Sequence, residues 1–356
     1  MPIFDSYFIN KTETMRTINF NIILIAMALS MFSCDRWEAR ISTEVFSDGS
    51  CVREVSSKDA DCLIIDEGWS KTEIIADGDT VKTTILSRRF NSVEEMGSSP
   101  VIRVYDDPVR SETSFDKRFK WFYTDYIFTE TFLGWSDRYD ELPVSRFMTQ
   151  DEASYMLVGY PAPEGHLTGS EMHDLTSELE VKLAEWKHSL LIYVYVNTIA
   201  HFYGDVKNPP VDLNTFIAAR DSLAAFSWKR QTELLPIDDE VEQLFSDFFK
   251  SDAYSIFFSK TYKDGIYKQY GRALYDKSFG LFGLSASYTL KLPGKVFYAG
   301  PGTVEEDRIS YRFKGDFLVL GDYTITASSR VVNAWTIIVT ILAALAAGIL
   351  LIKKKD

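Results

Sequence analysis

The chain has 356 residues, room for one large domain or two ordinary ones. With 46% hydrophobic and 25% charged residues it is too apolar to be a disordered chain, and its 25 Phe, 19 Tyr and 7 Trp point to a well-filled core. The net charge is −13; the four charges before Cys34 cancel and the Lys353–Asp356 tail contributes +2, so the middle carries −15, which argues against nucleic acid or anionic headgroups as main partners.

Near the N-terminus, Met15-Arg16 precedes an eleven-residue, largely apolar run, Ile22 to Phe32, and then Ser33-Cys34. A basic start, a short apolar region and a small residue before a cut site describe a secretory signal over residues 1–33, and the run is short for a span of ~20 residues. Met15 is the better start, because residues 1–14 add Asp5 and Glu13 to a region that should be basic. The segment Leu29-Ser30-Met31-Phe32-Ser33-Cys34 resembles the lipobox of bacterial lipoproteins. That resemblance implies cleavage before Cys34 and attachment of a diacylglycerol to its thiol, with Phe32 a departure from the usual pattern.

Residues 34–170 read as a β-rich extracytoplasmic region. Ile41, Thr43 and Val45 alternate with polar positions, Asp48-Gly49 turns the chain, and Val52 and Val55 continue beyond it. Lys71 to Ala76 and Thr80 to Phe90 flank Asp77-Gly78-Asp79, a strong hairpin signal. Val101 to Leu133 is extended again and dense in aromatics and Thr, whereas 134–170 is rich in Pro and Gly and reads as irregular structure with one short helix. Cys51 and Cys62 form an even pair in an oxidising compartment and flank ten mostly polar residues, so a disulfide between them is expected, with free thiols as the alternative.

Residues 171–283 change to a helical period. Leu179, Leu183, Trp186, Leu190 and Val194 share one face, and the apolar patch Leu190 to Val196 fits a buried helix. Further helices are expected over Val211 to Lys229, from Pro236 with Val241, Leu244, Phe245, Phe248 and Phe249 inward, and over Tyr254 to Tyr275. Residues 284–330 return to strands separated by Pro293-Gly294, Pro301-Gly302 and Lys314-Gly315. The expected fold class is α+β: a mainly antiparallel β domain built from N- and C-terminal strands, with a central helical insertion, followed by one C-terminal transmembrane helix.

That last helix covers residues 331–352, twenty-two residues without a charge, or ~33 Å at ~1.5 Å per residue, against a hydrocarbon core of ~30 Å. Trp335 sits near one end and Lys353 to Lys355 close the other, so residues 353–356 are expected in the cytoplasm and 35–330 outside. Tyr288 to Leu292, then Pro293-Gly294-Lys295-Val296, two more strands and a terminal apolar helix resemble the ending of LppM-like envelope proteins. The Asp-Gly turn of the first strands echoes them too. The resemblance covers under a third of the chain; it implies a membrane-proximal β domain and brings no catalytic residue.

Among residues able to do chemistry, His166, His173, His188 and His201 show no ligand spacing, although Asp174 could orient His173. Asp151-Glu152 and Glu305-Glu306-Asp307 could supply paired carboxylates but read better as a helix start and a solvated turn. No catalytic, metal or cofactor site is therefore assigned. The expected function is a non-enzymatic, membrane-anchored lipoprotein of the bacterial cytoplasmic membrane whose outer module contacts another envelope component, protein or lipid. The alternatives are a lipid- or glycan-binding module, for which the Phe245–Phe258 aromatics could line a groove, and an envelope polymer hydrolase.

Overall fold

The computed structural model describes residues 37–75, 80–159, 168–230, 238–258 and 265–353. Cys34 and the expected signal before it, the expected Asp77-Gly78-Asp79 turn, His166, Pro236 and Lys354–Lys355 lie outside these residues. The chain divides into two compact units, one of residues 36–134 and 284–356, the other centred on residues 135–283.

The first unit is the β unit. Strand β1 (Trp37–Val45) turns back into β2 (Cys51–Ser57), and both bury every second residue, the period-2 pattern of a half-covered strand. The turn between them uses Gly49 at φ +90 while Asp48 accepts hydrogen bonds from the Ser50 backbone and hydroxyl. Next come β3 (Ser70–Ile74), β4 (Thr83–Phe90) and the short helix α1 (Val93–Gly97), capped by Ser92. The small hairpin β5 (Arg103–Val104) and β6 (Asp107–Pro108) leads to the long hairpin β7 (Ser111–Lys120) and β8 (Tyr123–Phe132). After the helical unit the chain returns as β9 (Leu284–Lys291), β10 (Lys295–Tyr298), β11 (Thr303–Glu305), β12 (Arg308–Lys314) and β13 (Tyr323–Val332).

These strands make a seven-stranded sheet, ordered β11-β12-β9-β1-β2-β4-β3, and a four-stranded one, ordered β10-β13-β8-β7. Early and late strands share both sheets: β1 lies parallel to β9, Trp37 opposite Leu284, and β13 lies antiparallel to β8. The fold is therefore α+β, with mostly antiparallel sheets assembled from the two ends of the chain. The stretch after Lys314-Gly315, expected as strand, divides: a 3-10 turn covers Gly315–Val319, and β13 begins at Tyr323.

The second unit is helical and takes in residues 135–170, which the sequence reading assigned to the β-rich region. It contains α2 (Gln150–Val158), the 33-residue α3 (Gly169–His201), α4 (Leu213–Ala218), α5 (Arg220–Arg230), α6 (Asp238–Phe249) and α7 (Ile266–Phe279). Capping boxes, Thr149 with Glu152 and Thr168 with Glu171, start α2 and α3. The second half of α3 is buried nearly all round, as Leu190 to Val196 implied, and packs on Phe216, Leu223, Val241, Phe245, Tyr254 and Phe258. Val211 to Lys229 is two helices rather than one, and Tyr254 to Tyr275 is a 3-10 turn (Ser255–Phe257) followed after residues 259–264 by α7.

Two residues after β13 the β unit ends in α8 (Ala334–Lys353), twenty residues and ~30 Å long. It is long and apolar enough to cross a membrane, and its Ile338, Leu342, Leu345 and Leu350 side chains are exposed.

Candidate functional site

The cysteine expectation is corrected. Cys51 and Cys62 are both free and buried. Cys51 opens β2 and its thiol lies 3.6 Å from Met96 Sδ; Cys62 lies in a 3-10 turn past the other end of β2, 3.3 Å from Ser57 Oγ. The polar stretch between them is mostly an extended strand of about 20 Å rather than a loop, and it carries the two sulfurs apart. Burial pushes the Cys51 thiol up to about 11, so it stays protonated and inert.

Among the described residues the histidines do not assemble either. His188 is buried on α3, its Nε2 2.9 Å from Ser227 Oγ, and its ring lies beside Trp228. Burial lowers its pKa to about 4. His201 stacks on Tyr270, ring centroids 4.0 Å apart, and His173 sits in the second turn of α3. Among the described residues no three His, Cys, Asp or Glu side chains come close enough to hold a metal.

The carboxylates have structural work. Glu152 closes the α2 capping box and pairs with Lys182 at 2.9 Å. Glu305-Glu306-Asp307 forms the β11–β12 turn, with Glu306 at φ +56 and Asp307 3.1 Å from Lys291 Nζ.

A carboxylate the sequence reading missed, Glu130, lies fully buried between the sheets. Arg53 grips it with Nη1 to Oε1 at 3.0 Å and Nη2 to Oε2 at 2.5 Å. The Tyr288 hydroxyl donates to Oε2 at 2.6 Å and Ser111 Oγ to Oε1 at 2.9 Å. Thr43 Oγ1 accepts from Arg53 Nε at 3.1 Å. The network is saturated and sealed, and burial beside Glu130 holds the Tyr288 hydroxyl well above the usual phenol range. It locks the two sheets together and offers nothing to solvent. Position 130 falls in an alternating strand, so it could have been marked as inward facing, but its partner, 77 residues away, could not.

The helical unit holds a pocket of about 280 Å³, room for on the order of ten waters. Its floor is Leu191, Val194, Thr198 and Ile199 of α3, with Phe257 and Phe258 on one side. From α7 come Tyr267, Lys268, Gly271, Arg272 and Tyr275. Gly271 lets the helices close up, since a Cβ there would stand 3.2 Å from Thr198 Oγ1. Of the expected aromatic groove, Phe245 and Tyr254 instead fill the core, and Phe257 and Phe258 reach the pocket. The floor is apolar, and Arg272 on its wall pairs with Asp276 at 3.7 Å, so the pocket suits an apolar chain better than a bare sugar.

The third notable place is the end of the β unit from which α8 leaves. Asn333 ties strand, hairpin and helix together there: its backbone N–H donates to Phe122 O at 2.9 Å, its Nδ2 donates to Lys120 O at 2.9 Å, and its Oδ1 accepts from Thr124 Oγ1 at 3.0 Å. Asp125 is gripped by Arg330 Nε at 2.6 Å and Lys120 Nζ at 3.0 Å, which holds its carboxyl down to about 2. Compared with known proteins, the chain matches no family model, no curated protein and no solved structure.

Proposed function

We propose that the chain is a non-enzymatic lipoprotein of the bacterial cytoplasmic membrane, anchored by acyl-Cys34 and by α8, that presents its helical unit to another envelope component. The observation that carries this reading is α8 itself. Among the described residues nothing covers most of its large apolar side chains, and each one kept in water would cost ~1.5–3 kcal/mol. A soluble protein buries such a helix; a bilayer covers it from outside. Lys353, which ends the helix, the two lysines that follow it in sequence and Trp335 at its start support a cytoplasmic C-terminus. The β unit running into the helix fits the likeness to LppM-like envelope proteins.

A reporter active only in the cytoplasm, fused after Asp356, tests the orientation; it should be active, and activity of an export-dependent reporter there instead would overturn the reading. Labelled palmitate should enter the wild-type chain and not Cys34→Ala. Crosslinking in intact cells should then trap a partner through the helical unit.

The mostly apolar pocket between α3 and α7 favours a second reading, a binding module for an acyl chain. Mass spectrometry of the gently purified chain should then find a co-purifying amphiphile, lost when Thr198→Trp fills the floor. An empty wild-type chain would leave the partner reading alone.

A further inference from the structure

The β7–β8 hairpin turns on two residues, Trp121 and Phe122, with Lys120 paired to Tyr123. Two-residue hairpin turns normally use Gly, Asn or Asp, which take the required backbone angles and are at home in water. Here the turn is aromatic and open: Phe119 is 55% exposed, Trp121 49% and Phe122 49%. These residues do not serve the core of the β unit, because β7 has no buried position along its length. They gather instead around the start of α8. Phe119 stacks on Trp335 at 6.2 Å, and Trp121 meets the same ring edge-on at 5.9 Å; Trp335 is itself 56% exposed.

The depth is set by one bond. Trp121 Nε1 donates to Thr340 Oγ1 at 2.8 Å, and Thr340 stands six residues past Ala334, about 9 Å along the helix axis. The hairpin thus runs alongside the first turns of the apolar helix instead of stopping above it. Trp side chains favour such a level in a bilayer, with the ring in the acyl boundary and the N–H satisfied.

We propose that the Phe119–Phe122 hairpin tip is a second membrane contact, which enters the interfacial layer of the same bilayer that α8 crosses. This rests on the anchoring reading above. The occupant of the surface is lipid because the patch is continuous with the helix that lipid would cover. The contact is aromatic and not electrostatic: the neighbouring cations Lys120 and Arg330 are already held by Asp125, and the chain is acidic overall. The tip and the helix, joined by Asn333, give the β unit two fixed points on the membrane, so it stands at one angle and does not swivel on a single stalk.

The test uses the full-length chain carrying Cys34→Ser, in nanodiscs of zwitterionic phosphatidylcholine. A polarity-sensitive fluorophore is placed in turn on Phe122→Cys, Leu345→Cys and Glu54→Cys, Cys51 and Cys62 being buried. The expected result is blue-shifted emission from position 122, quenched by doxyl groups on the lipid chains and shielded from aqueous iodide. Position 345 should be quenched by lipid alone and position 54 by iodide alone. Iodide quenching at 122 with lipid quenching at 345 would overturn the proposal and leave the anchor standing. Iodide quenching at 345 would overturn both.

Discussion

Arg53 and Glu130, seventy-seven residues apart on strands of different sheets, form a two-pronged ion pair with side chains 4% and 0% exposed. Removing one partner strands a buried charge, so Glu130→Leu or Arg53→Met alone should cost about 3–5 kcal/mol. Replacing both should recover most of that loss, because no lone charge is left inside. Denaturant unfolding of the purified chain in detergent measures all three variants. A double variant as unstable as either single one would show that the pair supplies net stability.

His188 makes stability sensitive to acid. Its folded pKa, about 4, lies below the ordinary 6.5. Between these values the unfolded chain binds a proton that the folded chain refuses, so stability rises with pH. The contribution is fully present above 6.5 and is lost as pH falls towards 4, amounting to about 3 kcal/mol. His188→Gln should flatten that part of the stability curve, read as the difference between the two chains from pH 7 to pH 4. Parallel curves would refute the assignment.

The free thiols predict indifference to reductant. Neither Cys51 nor Cys62 should react with a maleimide in the folded chain, and both should react once it is denatured. The melting temperature should not move with dithiothreitol, whereas loss of a disulfide closing such a loop would cost roughly 2–5 kcal/mol.

Gly294, between β9 and β10, has φ +78, and a Cβ on it would stand 2.3 Å from the Arg330 carbonyl oxygen of β13. Left-handed backbone costs an L-residue roughly 1–2 kcal/mol before any clash. Gly294→Ala should therefore destabilise the β unit by about 2 kcal/mol or more, visible as an earlier unfolding transition. Pro293→Ala, which keeps the carbonyl that accepts from Ser329 Oγ at 2.7 Å, should cost far less.

Local chemistry made much of the fold legible. The alternation of Ile41, Thr43 and Val45, the Asp48-Gly49 turn, the helical spacing from Leu179 and the uncharged tract after Val331 each reflect forces acting over a few residues, and each gives an element in the structure. Such forces set strand, helix and turn because backbone angles and one-sided burial leave a period behind. They also mark α8 as long and apolar enough to cross a membrane, since composition and length alone decide that property.

Pairing at long range was decided elsewhere. The parallel match of β1 with β9, the meeting of Arg53 with Glu130, and the seating of Trp121 against Thr340 join residues from 77 to more than 200 positions apart, and no period records them. Cys51 and Cys62 show the converse: near in sequence, they are held apart by a strand whose length becomes a distance only when the sheet forms. Tertiary packing chooses among many pairings of equally suitable strands and side chains by filling the interior and satisfying every buried charge at once, a condition on the whole chain that no short segment can express.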